Sequence, residues 1–125
     1  MAASVLVIDD DSDIVRVVTA ALEDEGYRVL ASLGSAAIEI ARELHPDVVL
    51  LDLRMPGMDG AEVSQRLRAD PATAGIPIIV VSAVQNLAQA AEKLPVDAQL
   101  PKPFDLDRLY TLVAQWSDLP QGPPA

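Results

Sequence analysis

Three carboxylates directly follow two separate apolar runs of this sequence. Asp9 and Asp10 come after Val5 to Ile8, and Asp52 comes after Val48 to Leu51. Apolar runs this short are typical of strands buried on both faces, as in parallel sheets covered by helices. Because the carboxyl ends of parallel strands meet at one edge of a sheet, we expect the three carboxylates to converge there. Clustered carboxylates repel one another or bind a cation, and an all-oxygen ligand set suits Mg²⁺.

Two further polar side chains are predicted at the same edge. Ser82 follows the apolar run Ile78 to Val81, and Lys102 follows the short strand candidate Gln99–Leu100. Aspartates before a helix are, by themselves, more often caps than metal ligands. Their combination with Asp52, Ser82 and Lys102 favours a site.

Alternating elements are predicted to position these residues. Strands are predicted at Val5–Ile8, Arg28–Ser32, Val48–Leu51, Ile78–Val81 and Gln99–Leu100. Helices are predicted after the caps Ser12, Ser35, Asp59 and Asp105, and an alanine-rich helix is predicted around Leu87–Lys93. Strands that alternate with helices indicate βαβ units with right-handed crossovers onto a parallel sheet.

Helical periodicity also predicts which side chains face the core. Leu44 is expected on the buried face of the second helix, with Ala37, Ile38 and Ala41. The buried face of the last helix is expected to hold Leu106, Leu109, Tyr110 and Val113. Leu112 and Trp116 then lie off that face, which makes them candidates for partial burial or for a partner contact.

Composition limits the function classes. The chain has 125 residues and is expected to form one domain over 1–118, with a flexible tail at 119–125. It has no cysteine, which excludes disulfides and thiol catalysis. Its net charge of -10 argues against direct nucleic-acid binding. No apolar stretch approaches the roughly 20 residues of a membrane span, so we expect a soluble, cytoplasmic protein.

Four motifs together resemble the receiver domains of bacterial response regulators. They are VLVIDDD, LLDLRMPGMDG, VVSA and LPKPF, in that order, and they span nearly the whole chain from Val5 to about Asp118. The resemblance implies a flavodoxin-like, doubly wound α/β fold. Its five-stranded parallel sheet has the strand order 2-1-3-4-5 and helices on both faces.

The resemblance also implies a role for each residue at the predicted edge. Asp52 matches the aspartate that accepts a phosphoryl group from a phosphohistidine. Ser82 and Lys102 match the groups that stabilise this phosphoryl group. Asp9, Asp10, Asp52 and the backbone carbonyl of Arg54 match the Mg²⁺ ligands. Pro56, Gly60 and Pro103 match residues that shape the loops, and the Lys102–Pro103 bond is expected to be cis.

The implied partners are a histidine kinase or histidine phosphotransfer protein and a downstream effector protein, with a homodimer as a further option. No turnover of a separate substrate is expected. Gln99 departs from the family, which commonly carries Tyr or Phe at this position as a switch residue. We expect an output surface that includes Gln99, Leu112 and Trp116.

Two alternatives to a phosphorylated receiver remain open. A pseudo-receiver would keep the fold and act as an interaction or dimerisation module without phosphorylation, and Gln99 favours this alternative. A haloacid-dehalogenase-like phosphatase would also use a nucleophilic aspartate. That family needs a second acid two residues after the nucleophile, and Arg54 stands there.

Overall fold

The computed structural model describes residues 3–55 and 58–117, and the side chains of all of these except Ser35, Met55 and Met58. Pro56 and the predicted tail at 119–125 therefore lie outside the described residues. Along the chain, the elements are β1 Ser4–Ile8, α1 Ser12–Asp24, β2 Arg28–Ser32, α2 Gly34–Leu44, β3 Val48–Leu51, β4 Arg54–Met55, β5 Met58–Asp59, α3 Gly60–Ala69, β6 Ile78–Ser82, α4 Leu87–Glu92, β7 Ala98–Pro101 and α5 Leu106–Ser117.

Five of the strands form one parallel sheet in the order β2-β1-β3-β6-β7. Counted without the short antiparallel pair β4-β5, this is the predicted order 2-1-3-4-5, so the fold prediction is confirmed. The register pairs Ile8 of β1 with Leu51 of β3, and Ser82 of β6 with Pro101 of β7. These pairings bring the carboxyl ends of β1, β3, β6 and β7 to one edge of the sheet.

Two apolar layers cover the sheet, one on each face. On one face, α1 and α5 pack on alternate strand residues such as Val7, Leu50 and Val81. On the other face, α2 and α3 pack on the intervening residues, such as Ile8 and Leu51. All four residues of β3 and all five of β6 are buried, as expected for central strands of a parallel sheet.

Two predicted helix caps are wrong. Asp11, and not Ser12, caps α1, because its carboxylate accepts hydrogen bonds from the backbone N–H groups of Asp13 and Ile14. The second helix begins at Gly34, after Leu33 as its cap and without a side-chain hydrogen bond, so Ser35 lies inside the helix. Asp59 does cap α3.

Three predicted positions on helix faces also differ. Leu44 lies 54% exposed at the end of α2, and Leu106 lies 39% exposed at the start of α5. Leu112, which the periodicity placed off the buried face, is buried with Leu109 and Val113. The buried face of α5 is therefore rotated toward 109, 112 and 113, and Trp116 packs partly buried against the same layer.

Candidate functional site

Asp9 and Asp52 lie side by side at the carboxyl edge of the sheet. The backbone N–H of Asp52 donates to the carbonyl of Ile8 at 2.9 Å, which continues the β1-β3 ladder by one step. Both carboxylates are only 6% exposed as residues, whereas Asp10 is exposed. One carboxylate oxygen from each of Asp9, Asp10 and Asp52 lies within 4.8 Å of the other two. The prediction that these carboxylates converge is thus confirmed.

Lys102 reaches this cluster from the loop after β7. Its Nζ lies 2.9 Å from Oδ2 of Asp9 and 3.4 Å from Oδ2 of Asp52. The backbone N–H of Lys102 donates to the carbonyl of Ser82 at 2.9 Å, which holds the loop against the end of β6. The peptide bond between Lys102 and Pro103 is cis, as the resemblance to receiver domains implied.

Burial and charge act in opposite directions on these ionisable groups. Burial raises the pKa of Asp9 above its ordinary value, and the hydrogen bonds from Asp11 and Lys102 only partly offset this effect. For Lys102, burial alone would lower the pKa, but the hydrogen bond and charge of Asp9 and the charge of Asp52 raise it overall. Lys102 is therefore held as a cation beside two buried carboxylates.

Backbone amides orient the two buried carboxylates. The N–H of Asp11 donates to Oδ1 of Asp9 at 2.9 Å, and the N–H of Arg54 donates to Oδ1 of Asp52 at 3.1 Å. Each bond spans two residues, which is the geometry of an Asx turn. The second carboxylate oxygen of each aspartate then faces Lys102.

Gly60 allows the loop after β3 to fold back onto Asp52. A Cβ atom at position 60 would lie 2.3 Å from the carbonyl oxygen of Asp52 and 2.6 Å from the Cα of Leu53. The N–H of Gly60 donates to the carbonyl of Leu53 at 3.2 Å. Position 60 therefore requires glycine because of close backbone approach.

Ser82 lies at the same edge, 1% exposed, at the end of β6. Its Oγ accepts a hydrogen bond from the backbone N–H of Val84 at 3.3 Å. Its carbonyl is the acceptor for Lys102, so Ser82 and Lys102 are linked through the backbone.

The donor set at this edge fits a magnesium ion. Within the described part of the chain, the cluster of candidate metal ligands consists of carboxylates alone, from Asp9, Asp10 and Asp52. Mg²⁺ prefers oxygen ligands and keeps several waters, and the exposed position of Asp10 leaves room for water. Below the cluster, apolar side chains such as Val7, Leu50 and Val81 line a small cavity of about 10 Å³.

The predicted output residues lie on β7 and α5. Gln99 lies on β7 in register with Val80, three residues before Lys102. Its Oε1 and the indole Nε1 of Trp116 are buried without a hydrogen-bond partner among the described residues. Leu112 belongs to the core, so the structure does not place it on a surface, and that part of the prediction is wrong.

Two supporting features of the molecule were not predicted from the sequence. The N–H of Asp11 orients Asp9, a role that the spacing Asp-x-Asp could have suggested. Arg68 and Asp97 form an ion pair at the opposite edge of the sheet, and no local pattern in the sequence marks them as partners.

A comparison with protein families identifies the chain. The family model of the response regulator receiver domain matches residues 5–114. The chain belongs to this family. It is thus a receiver domain of the kind found in two-component response regulators, a family in which phosphorylation and Mg²⁺ binding at the acidic site are general.

Individual relatives agree with this assignment. The chain is 37% identical over 116 residues to the response regulator PleD of Caulobacter vibrioides, covering 90% of this chain and 26% of PleD. It is 37% identical over 125 residues to RpaA of Synechocystis sp., a DNA-binding dual master transcriptional regulator, covering 94% of this chain and 52% of RpaA. The chain therefore spans about a quarter to a half of the length of these curated relatives.

Among solved structures, the chain resembles the receiver domain of the sensor histidine kinase PA1611 from Pseudomonas aeruginosa PAO1. The TM-score is 0.84 at 27% identity, covering 95% of this chain and all of the other. That structure has a magnesium ion coordinated in its active-site cleft. Within the described residues, none of the helices is long and apolar enough to cross a bilayer.

Proposed function

We propose that this chain is a phosphoacceptor, with Asp52 receiving a phosphoryl group from a phosphohistidine of a histidine kinase or phosphotransfer protein. The observation that carries the proposal is the convergence of Asp52 with Asp9, Asp10 and Lys102 at one edge of the sheet. In the described structure, the carboxylate of Asp52 lies beside those of Asp9 and Asp10 and the Nζ of Lys102, and the backbone at Gly60 packs against Asp52.

The transfer is a displacement at phosphorus. One carboxylate oxygen of Asp52 attacks the phosphorus atom, the bond from phosphorus to the imidazole nitrogen breaks, and that nitrogen keeps the electron pair. Lys102 neutralises charge on the phosphoryl oxygens, and the hydroxyl of Ser82 donates a hydrogen bond to one of them. Asp9, Asp10, Asp52 and the backbone carbonyl of Arg54 would hold Mg²⁺, which would supply additional positive charge.

Phosphorylation of Asp52 would act as a switch. It replaces the single negative charge of the Asp52 carboxylate with a phosphoryl group that carries about -1.5 to -2 charges, beside the carboxylates of Asp9 and Asp10 and the ammonium group of Lys102. Ser82 and Lys102 then close on the phosphoryl group, and the domain shifts toward the form that a downstream effector or a second copy of the chain recognises. Gly60 and Pro103 shape the loops, and residues 1–118 form the functional unit. The chain turns over no separate substrate.

Incubation with acetyl phosphate and Mg²⁺ tests this proposal. Intact-mass spectrometry should detect one added phosphate in the parent and none in Asp52→Asn or in the parent with excess EDTA. The matched control is Asp11→Asn, which keeps the helix cap and lies outside the carboxylate cluster. It should be labelled like the parent.

Failure of the parent to take up phosphate would contradict the proposal and favour a module that acts by binding alone. Labelling that survives Asp52→Asn would contradict the assignment of the acceptor.

A further inference from the structure

Arg68, in the last turn of α3, bonds to two loops that lead into the amino ends of β6 and β7, at the opposite ends of the strands from the carboxylates. Its Nη1 donates to the carbonyls of Ala74 at 2.9 Å and Ile76 at 2.7 Å, in the loop before β6. Its Nε donates to the carbonyl of Pro95 at 2.9 Å, in the loop after α4. Its Nη2 pairs with the carboxylate of Asp97, just before β7. One guanidinium group thus bonds to three backbone carbonyls and one carboxylate.

Asp97 extends this connection into the sheet. Its Oδ2 also accepts from the backbone N–H of Ile78 at 2.8 Å, and its own N–H donates to the carbonyl of Ile78 at 2.8 Å. The side chains of Arg68 and Asp97 are 23% and 29% exposed, so these charged bonds are partly shielded from water. Charge-assisted bonds of this kind are stronger than neutral ones, and the rigid fork of arginine makes several at once.

Among the described residues, the N-terminal end of α4 is held without charged hydrogen bonds of this kind, through the buried side chain of its first residue, Leu87. Its cap, Asn86, is in the left-handed region at φ 58° and makes no side-chain hydrogen bond to the helix. Of the six residues of α4, only Leu87 is buried. Gln85 and Asn86 are exposed in the loop that leads from Ser82 to the helix. The two ends of α4 are therefore held very differently.

We propose that Arg68 is a latch that anchors the C-terminal end of α4. The Asn86 end of this helix then moves away from the rest of the domain, and the helix rotates about residues 94–97. Loop 94–97 remains fixed to α3 and β6 while the segment after Ser82 moves. This inference concerns the free protein and does not depend on phosphorylation of Asp52.

Amide hydrogen exchange of the full chain, followed residue by residue by NMR without metal, tests the latch. In the parent, the Asp97 amide should exchange at least about tenfold more slowly than the Ala90 amide, which bonds to Asn86 in the first turn of α4. Arg68→Lys keeps the positive charge but removes the planar guanidinium group that donates to several acceptors at once. It should speed exchange at Asp97 about tenfold and leave Val7, in the central strand β1, unchanged.

Arg66→Lys is the matched control, because Arg66 lies on the same helix and its side chain forms an ion pair with Glu62 on an exposed face. It should leave Asp97 at the parental rate. Asp97→Asn provides a second variant, which removes the ion pair and keeps an oxygen for the Ile78 amide. It should raise exchange at 96–97 by a smaller factor.

An unchanged Asp97 rate in Arg68→Lys would overturn the latch. Equal acceleration at Asp97 and Val7 would also overturn it, because that pattern indicates loss of global stability. Slower exchange at Ala90 than at Asp97 in the parent would contradict the proposed pivot.

Discussion

The backbone contact at Gly60 makes a sharp prediction at the scale of single residues. In Gly60→Ala, the new methyl group would meet the carbonyl of Asp52 at 2.3 Å, so the loop must shift. We expect a loss of about 1–3 kcal/mol in the free energy of unfolding, measured with urea, together with weaker Mg²⁺ binding.

Gly26→Ala is the matched control for Gly60→Ala. Gly26 has φ 97° and open space around its Cα, so alanine there strains the backbone without touching the site. It should cost about 1–2 kcal/mol and leave Mg²⁺ binding unchanged. Unchanged Mg²⁺ affinity in Gly60→Ala would contradict the positioning role of this glycine.

Lys102 makes a pH-dependent prediction. Its pKa is raised above the ordinary 10.5 by Asp9 and Asp52, so its stabilisation is fully present below that value and is lost as pH rises through the raised pKa. Without metal at about pH 8, Lys102→Met should be about 3 kcal/mol less stable than the parent, because Asp9 is left buried without its partner.

The difference between the parent and Lys102→Met should shrink as pH rises above 10.5. Urea unfolding of both proteins across this pH range measures the difference. A difference that stays constant with pH would show that the two proteins differ through packing and not through charge.

Single residues of the site were largely predictable from the sequence, because each follows a predicted strand of the parallel sheet. Asp9, Asp52 and Lys102 converge for that reason. Arg68 and Asp97 were not predictable from the sequence. Arg68 donates mostly to backbone carbonyls, and Asp97 accepts from Arg68 and from the backbone N–H of Ile78, groups that only the folded chain brings near.

At the scale of secondary-structure elements, the start of α1 makes a prediction. Asp11 is the residue whose carboxylate accepts from the first free N–H groups of the helix. Asp11→Ala should therefore lower the free energy of unfolding by about 1 kcal/mol, and Ser12→Ala should change it by much less. Urea unfolding of both variants provides the measurement, and the reverse order would restore the cap predicted from sequence.

The face of α5 explains why helix orientation was only partly predictable. Two overlapping apolar stripes run along this helix, one through 106, 109, 110 and 113 and the other through 109, 112, 113 and 116. Helical periodicity fits both. The position of the sheet selects the second stripe, which buries Leu112 and leaves Leu106 partly exposed.

At the scale of the whole molecule, metal binding should be linked to stability. Mg²⁺ at 100 times its dissociation constant should stabilise the parent by about 2.7 kcal/mol, because it binds the carboxylates assembled only in the folded state. Asp10→Asn should unfold at a slightly higher temperature than the parent without metal, since one of three clustered charges is removed. It should gain little from Mg²⁺.

Asp13→Asn is the control for this metal test. Asp13 lies near the start of α1 but outside the cluster, where it pairs with Arg16. Its response to Mg²⁺ should equal that of the parent. Equal stabilisation of the parent and Asp10→Asn by Mg²⁺ would contradict the assignment of Asp10 as a ligand.

The global topology followed from the alternation of buried strands and amphipathic helices, because parallel strands need covering helices and right-handed crossovers. The strand order additionally depended on resemblance to the receiver family, and the sheet has that order. Hydrophobic patterning alone leaves the order of parallel strands open.

Mapping the modified residue shows whether Asp52 carries the phosphoryl group. After incubation with acetyl phosphate and Mg²⁺, borohydride reduces an aspartyl phosphate to homoserine, which peptide mass spectrometry locates. We predict homoserine at position 52 and unmodified aspartate at positions 9 and 10. Homoserine at position 9 or 10, or at none of the three positions, would contradict the assignment of Asp52 as the phosphoryl acceptor.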